Sequence, residues 1–290
     1  CSSDEVEWIV DNSDSRFVFI GNNPGDNNED LKMPVHRIAP IIDKLNNIEH
    51  VVLMEGIPEI KNNKVLLWKD FISHGVNQTR EDVVSRVENI KEDDVSSLIY
   101  TSGTTGNPKG VEIQYKNWNF EVSKLNERLP FYQGDRYVSW LPLAHVFGQL
   151  IDTHFCLQRA MHLFVVDNPL NVVDHSKNVQ PHLFIGVPRI YEKIYSNLKS
   201  AIESKAVLKI GLKLPILSNV FKNLLKKKTG FSETKYAGSG AAPINPNILK
   251  FFRSLDFPIY EGYGMTENAA VATINFQGNN SIGSVGKAIP

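Results

Sequence analysis

The sequence has few cysteines, no long apolar run and almost no net charge, and each shortage excludes a class of protein. Its two cysteines are Cys1 and Cys156, and no Cys-x-x-Cys pair occurs, so neither a disulfide framework nor a cysteine-bound zinc site is expected. No apolar run approaches the roughly 18 residues that a membrane-spanning helix needs. A net charge of −1 argues against nucleic acid as a partner. This cysteine usage favours a reducing, cytoplasmic compartment, with Cys156 as a small buried apolar residue.

What the chain does have is a regular alternation of two hydrophobic patterns. Its 290 residues are 42% hydrophobic and 22% charged, which suits a globular protein with a substantial core. Short β-rich runs alternate with helix-periodic segments, which predicts an α/β fold of mainly parallel sheets flanked by helices. Strands are predicted at residues 17–21, 50–55, 97–100, 137–141, 162–166, 182–187 and 258–260, and helices at 115–129, 144–159, 189–204 and 245–255. Ligands of such sheets bind outside the carboxyl ends of the strands.

The most informative stretch is the loop at residues 100–110, YTSGTTGNPKG, which follows a predicted strand. Glycines let the backbone approach an anion closely, N–H groups and hydroxyls donate to its oxygens, and Lys109 supplies positive charge. This composition predicts a phosphate-binding loop. It is not a Walker P-loop, because Lys109 is followed by Gly110 rather than by serine or threonine. A flexible surface loop is the alternative for this stretch taken alone.

Four further motifs follow in order. WLPLAHVFG (140–148) places His145 between a strand and a helix, where a structural role is equally compatible, and GVPRIY (186–191) also opens a helix. GSGAAP (238–243) is a run of small residues against which a flat ring can lie. YEGYGMTE (260–267) combines an aromatic ring, two glycines, a hydroxyl and a carboxylate, which suit base stacking, backbone access, phosphate contact and Mg²⁺ ligation. Each motif is weak alone, but five in one chain indicate a nucleotide-binding enzyme.

Together these motifs resemble the signature motifs of the acyl-adenylate-forming enzymes. That family includes acyl-CoA synthetases, firefly luciferase and the adenylation domains of peptide synthetases. LPLAH, GVPR and SGAAP are most similar to the long-chain fatty acyl-CoA synthetase branch. Residues 252–267, FRSLDFPIYEGYGMTE, resemble its bubblegum-type members, and residues 3–19 resemble the segment that precedes the nucleotide half in this branch. The resemblance therefore covers nearly the whole chain.

The resemblance implies an ATP-dependent ligase. Such enzymes use ATP and Mg²⁺ to convert a carboxylate into an acyl-adenylate and pyrophosphate, and the thiol of CoA then attacks the adenylate to give a thioester. AMP turns the carboxylate oxygen into a good leaving group, so catalysis rests mainly on positioning and on charge neutralisation around the α-phosphate. The expected partners are a long-chain fatty acid, ATP and CoA.

The resemblance also implies a role for each motif residue. The expected catalytic residues are Lys109, His145, Thr266 and Glu267, with Thr266 at the α-phosphate, Glu267 as the Mg²⁺ ligand and His145 where the acyl pocket meets the adenylate. The β- and γ-phosphates are expected at Thr101, Ser102, Gly103, Thr104, Thr105, Gly106 and Lys109. Adenine is expected against Gly240, Ala241, Ala242 and the ring of Tyr263, and Glu261, Gly262 and Gly264 are expected to complete the nucleotide site. The acyl tunnel is expected to be lined by Val146, Phe147, Gly186 and Val187.

The resemblance further implies that the chain is a central fragment. After their Thr-Glu pair, family members have a ribose-binding aspartate, an arginine, a hinge and a small C-terminal domain with a catalytic lysine. This sequence ends before those features, so residues 1–290 are expected to form a single incomplete AMP-binding large domain that is inactive, or nearly so, alone. Cys1 is then a cut site; the alternative is the mature end of a lipoprotein.

Three alternatives stay open. Residues 205–228 contain seven lysines and no acid among many leucines, isoleucines and valines, with a break at Pro215. Such a basic amphipathic segment suits peripheral contact with an anionic membrane and an ordinary lysine-solvated helix pair equally well. An aryl, short-chain or amino acid is an alternative substrate, and a non-catalytic adenylate-binding protein is an alternative function.

Overall fold

The computed structural model describes residues 2–21, 34–57, 59–102 and 106–289. The chain forms two compact units, Cys1–Lys116 and Asn117–Pro290. Parallel strands predominate in the largest sheet of each unit, and helices connect them. The predicted α/β class with mainly parallel sheets is therefore confirmed.

A three-stranded parallel sheet forms the centre of the first unit. Its strands are β1 (Phe17–Ile20), β2 (His50–Leu53) and β3 (Val65–Leu67), in the order β1-β2-β3. Its helices are α1 (Ser3–Asn12), α2 (Pro34–Ile38), α3 (Trp68–Ser73) and α4 (Arg80–Glu88). Val51, Val52 and Leu53 of the middle strand are fully buried, as expected for a central parallel strand. A capping box of Ser2 and Glu5 fixes the start of α1.

A separate antiparallel hairpin completes the first unit. Strand β4 (Val95–Thr101) pairs with β5 (Lys109–Gln114), and Thr101 lies opposite Lys109 at the end of the ladder. The strand predicted at 97–100 is thus confirmed, but the loop after it connects antiparallel strands and is not at a parallel sheet edge. The sequence does not predict β5, because Gly110 and two charged residues obscure the short apolar alternation of its Val and Ile.

A seven-stranded sheet forms the centre of the second unit, in the order β12-β11-β10-β9-β8-β6-β7. Its strands are β6 (Arg136–Ser139), β7 (His162–Val165), β8 (Leu183–Gly186), β9 (Tyr236–Ser239), β10 (Ile259–Tyr263), β11 (Thr273–Ile274) and β12 (Lys287–Ala288). The five strands β6 to β10 are parallel, whereas β11 and β12 add antiparallel pairs. We call the side where β6 and β8 to β10 begin the amino edge, and the side where they end the carboxyl edge.

Helices of the second unit pack on this sheet around an aromatic core. They are α5 (Tyr115–Arg128), most of which belongs to this unit, α6 (Val146–Gly148), α7 (Cys156–Gln158), α8 (Val172–Val179), α9 (Pro188–Ser204), α10 (Ala206–Gly211), α11 (Pro215–Thr229) and α12 (Pro246–Ser254). Phe184 of β8 packs edge-on against Tyr191 of α9 and Phe231, and all three side chains are fully or almost fully buried. Asn245 caps α12 with Pro246 at its first position, as the sequence predicts.

The predicted helix at 144–159 is confirmed as a helical segment, but its middle has an unusual geometry. Residues Gln149–Phe155, between α6 and α7, are π-helical. Such stretches are rare and occur frequently at functional sites. Cys156 is fully buried, as predicted, and it is a free cysteine in the described part of the chain. Among the described residues, no helix has the length and apolar character to cross a membrane.

Candidate functional site

The predicted phosphate loop lies at the tip of the hairpin in the first unit. Lys109 is exposed at the start of β5, directly opposite Thr101. Gly106 has φ +90°, a left-handed conformation that glycine adopts without strain. Ser102 is exposed, whereas Gly103, Thr104 and Thr105 lie outside the described residues. The hairpin thus brings the lysine and the first hydroxyls of the motif to one tip.

Helix α1 forms hydrogen bonds with the chain on both sides of this loop. The indole Nε1 of Trp8 donates to the carbonyl of Pro108 at 2.9 Å, and the hydroxyl of Tyr100 donates to Oδ1 of Asn12 at 2.7 Å. An open cavity of about 620 Å³ beside α1 is lined by several acids, including Asp4, whose charge repels phosphate. The loop itself, rather than this cavity, is therefore the candidate phosphate site.

In the second unit, the other four motifs meet at the carboxyl edge. Each follows a parallel strand: the His145 motif follows β6, the GVPR motif β8, the small-residue motif β9, and the Thr-Glu motif β10. Gly186, Ser239 and Glu261 are aligned across the three neighbouring strands β8, β9 and β10. The topology thus places these four motifs at the edge of the sheet where ligands of parallel sheets bind.

His145 lies exposed at the start of the helix that follows β6. Its Nδ1 accepts a hydrogen bond from the N–H of Phe147 at 3.2 Å, so the ring acts as an N-cap. Because Nδ1 is the acceptor, a neutral ring has its proton on Nε2, which can donate to a ligand. A Cβ at Gly148 would lie 2.4 Å from the carbonyl oxygen of Pro142, so the helix needs glycine to pack this closely on the loop.

The small-residue motif forms the end of β9 and a loop that Glu261 supports from β10. Gly240 is half-buried, whereas Ala241, with φ +68°, and Ala242 are exposed. The buried carboxylate of Glu261 accepts from the N–H of Ile244 at 3.0 Å. Glu261 is one of the predicted nucleotide-binding residues, and in this structure its carboxylate binds the protein's own loop.

The segment after β10 is tightly wound. Tyr263 at the strand end is 51% exposed, which leaves a ring face free for stacking. A Cβ at Gly264 would lie only 1.5 Å from the carbonyl oxygen of Ala270, so this glycine is sterically required. Ala269 (φ +61°) and Ala270 (φ +110°) both have positive φ values, a conformation that costs free energy in residues other than glycine.

Thr266 and Glu267 lie in a short 3₁₀ turn, Thr266–Asn268, at the centre of this segment. Thr266 is half-buried and Glu267 is exposed. Gly262 is partly buried between β9 and β11, where a Cβ would lie 3.1 Å from the carbonyl oxygen of Thr273. The turn therefore presents a hydroxyl and a carboxylate beside the exposed ring of Tyr263.

Buried ionisable groups lie near these motifs. Burial raises the pKa of Glu121 in α5 to about 8, although the N–H of Val271 acts in the opposite direction. Burial also raises the pKa of Asp152, an effect that the neighbouring hydroxyls of Ser139 and Tyr137 oppose. Burial lowers the pKa of His154, whose ring stacks on Trp118 with centroids 4.5 Å apart. Strongly shifted pKa values in a cleft are characteristic of functional sites, though structural networks produce them too.

The sequence does not predict the side-chain contacts that shape this edge. Tyr191 in α9 donates its hydroxyl to the carbonyl of Gly238 at 2.9 Å, and Trp140 donates to the carbonyl of Ile185 at 2.8 Å. Ser139 bonds Asp152 across the π-helical stretch. Tyr191 and Trp140 belong to motifs that the sequence identifies, but their hydrogen-bond partners depend on the tertiary structure.

The sequence matches the AMP-binding enzyme family over residues 1–290. The chain belongs to this AMP-binding family. Two curated relatives are Long chain acyl-CoA synthetase 7, peroxisomal, of Arabidopsis thaliana, and Long-chain-fatty-acid--CoA ligase ACSBG2 of Homo sapiens. The first is 32% identical, over 69% of this chain and 31% of the relative, and the second is 31% identical, over 82% and 40%. The chain spans less than half the length of these relatives.

Solved structures agree with the AMP-binding assignment at the level of the fold. The anthranilate CoA ligase AuaEII in complex with anthranoyl-AMP matches with a TM-score of 0.71 at 20% identity, over 100% of this chain and 48% of that chain. The N-terminal domain of FACL13 from Mycobacterium tuberculosis matches with a TM-score of 0.63 at 18% identity, over 99% and 61%. The family model and the curated relatives, together with this fold, confirm the resemblance to adenylate-forming enzymes of the long-chain acyl-CoA synthetase branch.

The residues present are compatible with the Mg²⁺ that the family implies. No group of three or more His, Cys, Asp or Glu side chains in the described ranges could form a metal cage. Mg²⁺ commonly binds through one or two carboxylates together with substrate phosphates and water, so it needs no such cage. A single exposed carboxylate, Glu267, beside the hydroxyl of Thr266 fits that pattern.

Proposed function

We propose that the whole protein is an ATP-dependent ligase that converts a long-chain fatty acid into its acyl-adenylate and then into acyl-CoA. The observation that carries this proposal is the convergence of four family motifs on one carboxyl edge of a parallel sheet. Membership of the AMP-binding family and the names of the relatives support it. We also propose that both units belong to one nucleotide-binding large domain, which this chain contains incompletely.

The reaction has two steps. In the first, a carboxylate oxygen of the fatty acid bonds to the α-phosphorus of ATP, and the bond from that phosphorus to the bridging oxygen of pyrophosphate breaks. In the second, the sulfur of CoA bonds to the acyl carbon while the bond to AMP breaks, and the thiol proton is released. Both transition states concentrate negative charge on phosphate or carbonyl oxygens, so nearby cations and hydrogen-bond donors stabilise them.

Roles for the chain's residues follow from their position and chemistry. Lys109 and the hydroxyls of the hairpin tip are proposed to hold the β- and γ-phosphates. Adenine is proposed to lie against Gly240 and the two alanines after it, with the exposed ring of Tyr263 stacked on it. Thr266 is proposed to donate to the α-phosphate. Mg²⁺, held by Glu267, would neutralise phosphate charge when bound.

His145 is proposed to bind where the adenylate meets the acyl chain. Its Nε2–H is the donor left after Nδ1 accepts the capping bond, and it suits a developing negative charge on an acyl or phosphate oxygen. Val146, Phe147, Gly186 and Val187 are proposed to line the acyl tunnel. All four lie just after β6 or at the end of β8, on the carboxyl edge.

The test is ATP–pyrophosphate exchange by the complete protein with palmitate, acetate, benzoate and a panel of amino acids, each with and without CoA. Palmitate-driven exchange, with thioester formed only when CoA is added, is the expected result. Exchange with another acid would support the same adenylation mechanism but assign a different class of substrate. No exchange with any acid, together with retained ATP binding, would favour the non-catalytic adenylate-binding alternative.

A second feature suggests where the protein meets its substrate. Helices α10 and α11 have an outer apolar face in addition to the inner face, whose buried Leu225 belongs to the core. The outer face consists of six side chains between 41% and 69% exposed: Val207, Ile210, Leu214, Leu217, Val220 and Leu224. Lysines surround it, and residues 205–228 contain no acid. An exposed apolar face bordered by lysines complements the interface of an anionic bilayer.

We propose that this face binds the surface of anionic membranes in the cytoplasm, where long-chain fatty acids concentrate. Replacing Lys226, Lys227 and Lys228 with glutamate should weaken binding to phosphatidylserine vesicles by about 100-fold, because each basic residue near such a surface contributes about 1 kcal/mol. Replacing Leu217 and Val220 with serine should weaken it as well. A matched control changes three exposed lysines of the first unit, Lys61, Lys69 and Lys91, to glutamate. Equal loss in this control, or no loss in the first variant, would contradict the proposal.

A further inference from the structure

A buried side-chain pair closes the segment that contains His145. Strand β6 ends at Ser139, the loop with His145 follows, and the chain returns as α6 and the π-helical stretch. The hydroxyl of Ser139 donates to Oδ2 of Asp152, which lies in that stretch. One hydrogen bond thus joins the two ends of the motif, from the strand before it to the helix after it.

Asp152 is set deep in the second unit. Asp152 is only 4% exposed. Its second carboxyl oxygen, Oδ1, has no hydrogen-bond partner among the described residues. The hydroxyl of Tyr137 is buried nearby, and the Asp152 charge contributes to a raised pKa of both Tyr137 and Cys156, after burial as the main cause. A buried carboxyl is costly unless it is fully bonded, so its presence requires an explanation.

The remaining contacts of the segment are short-range and tight. The N–H of His145 donates to the carbonyl of Pro142 at 3.0 Å, and Gly148 allows α6 to approach the same carbonyl closely. Trp140 donates to the carbonyl of Ile185 on β8. These contacts fix the shape of the loop, whereas the Ser139–Asp152 bond ties the helix after it to the end of β6.

We propose that Asp152 is a positioning residue for His145. Its carboxyl, bound to Ser139, holds the helix that His145 caps against the end of β6, and so fixes where His145 presents its Nε2. A π-helical turn supports this assignment, because such turns redirect side chains that a regular helix would aim elsewhere. The role in catalysis rests on the proposed function, but the positioning itself can be tested without activity.

The activity test uses the complete protein and three variants. Asp152→Leu keeps the branched shape of the side chain with a larger volume and removes the acceptor. It should lower kcat of ATP–pyrophosphate exchange by about 100-fold, the effect of small displacements in a reacting site. The dissociation constant for ATP should stay within about twofold. Asp152→Asn keeps an acceptor for Ser139 and should retain most of kcat. Ser139→Ala should reproduce the loss, and the double variant Ser139→Ala/Asp152→Leu should lose little more, because both act through one bond.

A matched control separates positioning from general destabilisation. Ser176→Ala removes a serine that is fully buried in α8, where its hydroxyl donates to the carbonyl of Val172. It should leave kcat unchanged. The proposal is overturned if Asp152→Leu folds and keeps kcat, or if Ser176→Ala or Asp152→Asn loses as much.

A second readout does not depend on the reaction. Diethylpyrocarbonate modification of His145, followed by mass spectrometry with exposed His74 as the internal reference, reports how firmly Nδ1 is held in the cap. In Asp152→Leu the rate at His145 should rise about fivefold, the factor that corresponds to loss of one capping bond. An unchanged rate would overturn the positioning role. A raised rate in a protein that shows no exchange with any acid would keep the positioning role and reject the proposed function.

Discussion

The amino and carboxyl edges of the seven-stranded sheet contain opposite kinds of chemistry. At the amino edge, Asp135, His182 and Lys235 immediately precede β6, β8 and β9, and their side chains or backbones bind one another. At the carboxyl edge, the same strands end in the small residues Ser139, Gly186 and Ser239, and the neighbouring β10 ends in the exposed ring of Tyr263. Each strand has one end at each edge, so the difference in chemistry between the edges arises from the residue types at the two ends of the strands.

The amino edge is closed by bonds within the protein. Lys235 Nζ donates to both oxygens of Asp135 at 2.7 and 2.8 Å, and the N–H of Tyr132 donates to Asp135 at 2.9 Å. His182 Nδ1 accepts from the N–H of Arg136 at 2.9 Å. Burial and the positive charge of Arg136 lower the pKa of His182, so the ring is neutral and its 3.3 Å approach to Asp135 is not an ion pair.

Among the described residues, the carboxyl edge contains buried polar atoms without hydrogen-bond partners and residues with strained backbone. Ser239 Oγ and Asp152 Oδ1 are buried without hydrogen-bond partners in the described part of the chain, and Ala241, Ala269 and Ala270 have positive φ values. Such features reduce stability and are found where a ligand supplies the missing contacts. Positive φ values also occur at the amino edge, at Gln180 before β8 and Asp256 before β10, so the two edges differ mainly in hydrogen bonding. The amino edge is closed by bonds within the protein, whereas the carboxyl edge has buried polar atoms without partners in the described residues, as expected for the binding edge proposed above.

The largest effect on activity should come from an exposed residue of the carboxyl edge. Glu267→Gln removes the proposed Mg²⁺ ligand while keeping the side chain's size, and ATP–pyrophosphate exchange should fall about 1,000-fold, the scale of one lost electrostatic contact in a reacting site. The melting temperature should not move, because the side chain is exposed. Glu233→Gln, an exposed amino-edge carboxylate, is the control and should retain full exchange. Retention by Glu267→Gln would remove this residue from the site.

The reverse pattern is expected at the amino edge. Asp135→Ala leaves Lys235 without its carboxylate, and because that lysine is 36% exposed the expected cost is about 2 kcal/mol, below that of a fully buried pair. The melting temperature should fall by about 6 °C, with exchange by the folded protein unchanged. As a control, Asp174→Ala breaks an exposed ion pair with Lys177 and should shift the melting temperature by less than about 1 °C. A loss of activity in folded Asp135→Ala would break the division between the edges.

A glycine substitution tests the proposed adenine-binding face within the carboxyl edge. The added Cβ of Gly240→Ala would lie 3.6 Å from the carbonyl oxygen of Gly262, an ordinary contact, so the fold should tolerate it. The methyl group would nevertheless occupy the face proposed for adenine, and ATP affinity should fall about tenfold, measured by calorimetry. Gly75→Ala, with a comparable 3.4 Å contact in the first unit, should leave affinity unchanged. Unaltered affinity in Gly240→Ala would exclude that face as the adenine platform.

The sequence predicts the strands and motifs better than the contacts between them. An apolar run defines β8 because buried parallel strands are continuously hydrophobic, and Asn245-Pro246 marks the start of α12 by local capping alone. Strand β9 is not predicted, because Tyr-Ala-Gly-Ser lacks the usual β-branched signal. Contacts such as Glu261 to Ile244 join residues distant in sequence, and only the folded register brings them together.

The motif residues are predicted by type, but their roles are not separated by sequence alone. Glu261 and Glu267 lie in one motif, yet one carboxylate is buried against its own loop and the other is exposed. Their positions explain this difference, because Glu261 lies within β10, whose first three residues are all buried, whereas Glu267 lies in the turn that follows once the chain has left the sheet. Asp152 has no signal in the sequence, because the π-helical geometry that aims it at Ser139 is a tertiary feature.

The smallest expected effect is a pH dependence whose sign differs between the edges. Although burial opposes its charge, hydrogen bonds from Lys235 and Tyr132 hold the pKa of Asp135 below its usual range. Its stabilising contribution is present above the unfolded pKa and is lost as pH falls through the folded pKa. His182, with a lowered pKa, also loses stability in acid, because below about pH 6.5 the unfolded ring binds a proton first. The amino edge should therefore weaken in acid.

Asp152 should respond in the opposite direction. Burial raises its pKa, so its contribution is present below the unfolded pKa and is lost as pH rises through the folded pKa. Melting temperatures measured from pH 3 to pH 8 should show a smaller acid decline in His182→Gln, and a smaller decline with rising pH in Asp152→Asn. If both variants instead flattened the same side of the profile, the two edges would not differ in how their charges couple to folding, and the division would rest on geometry alone.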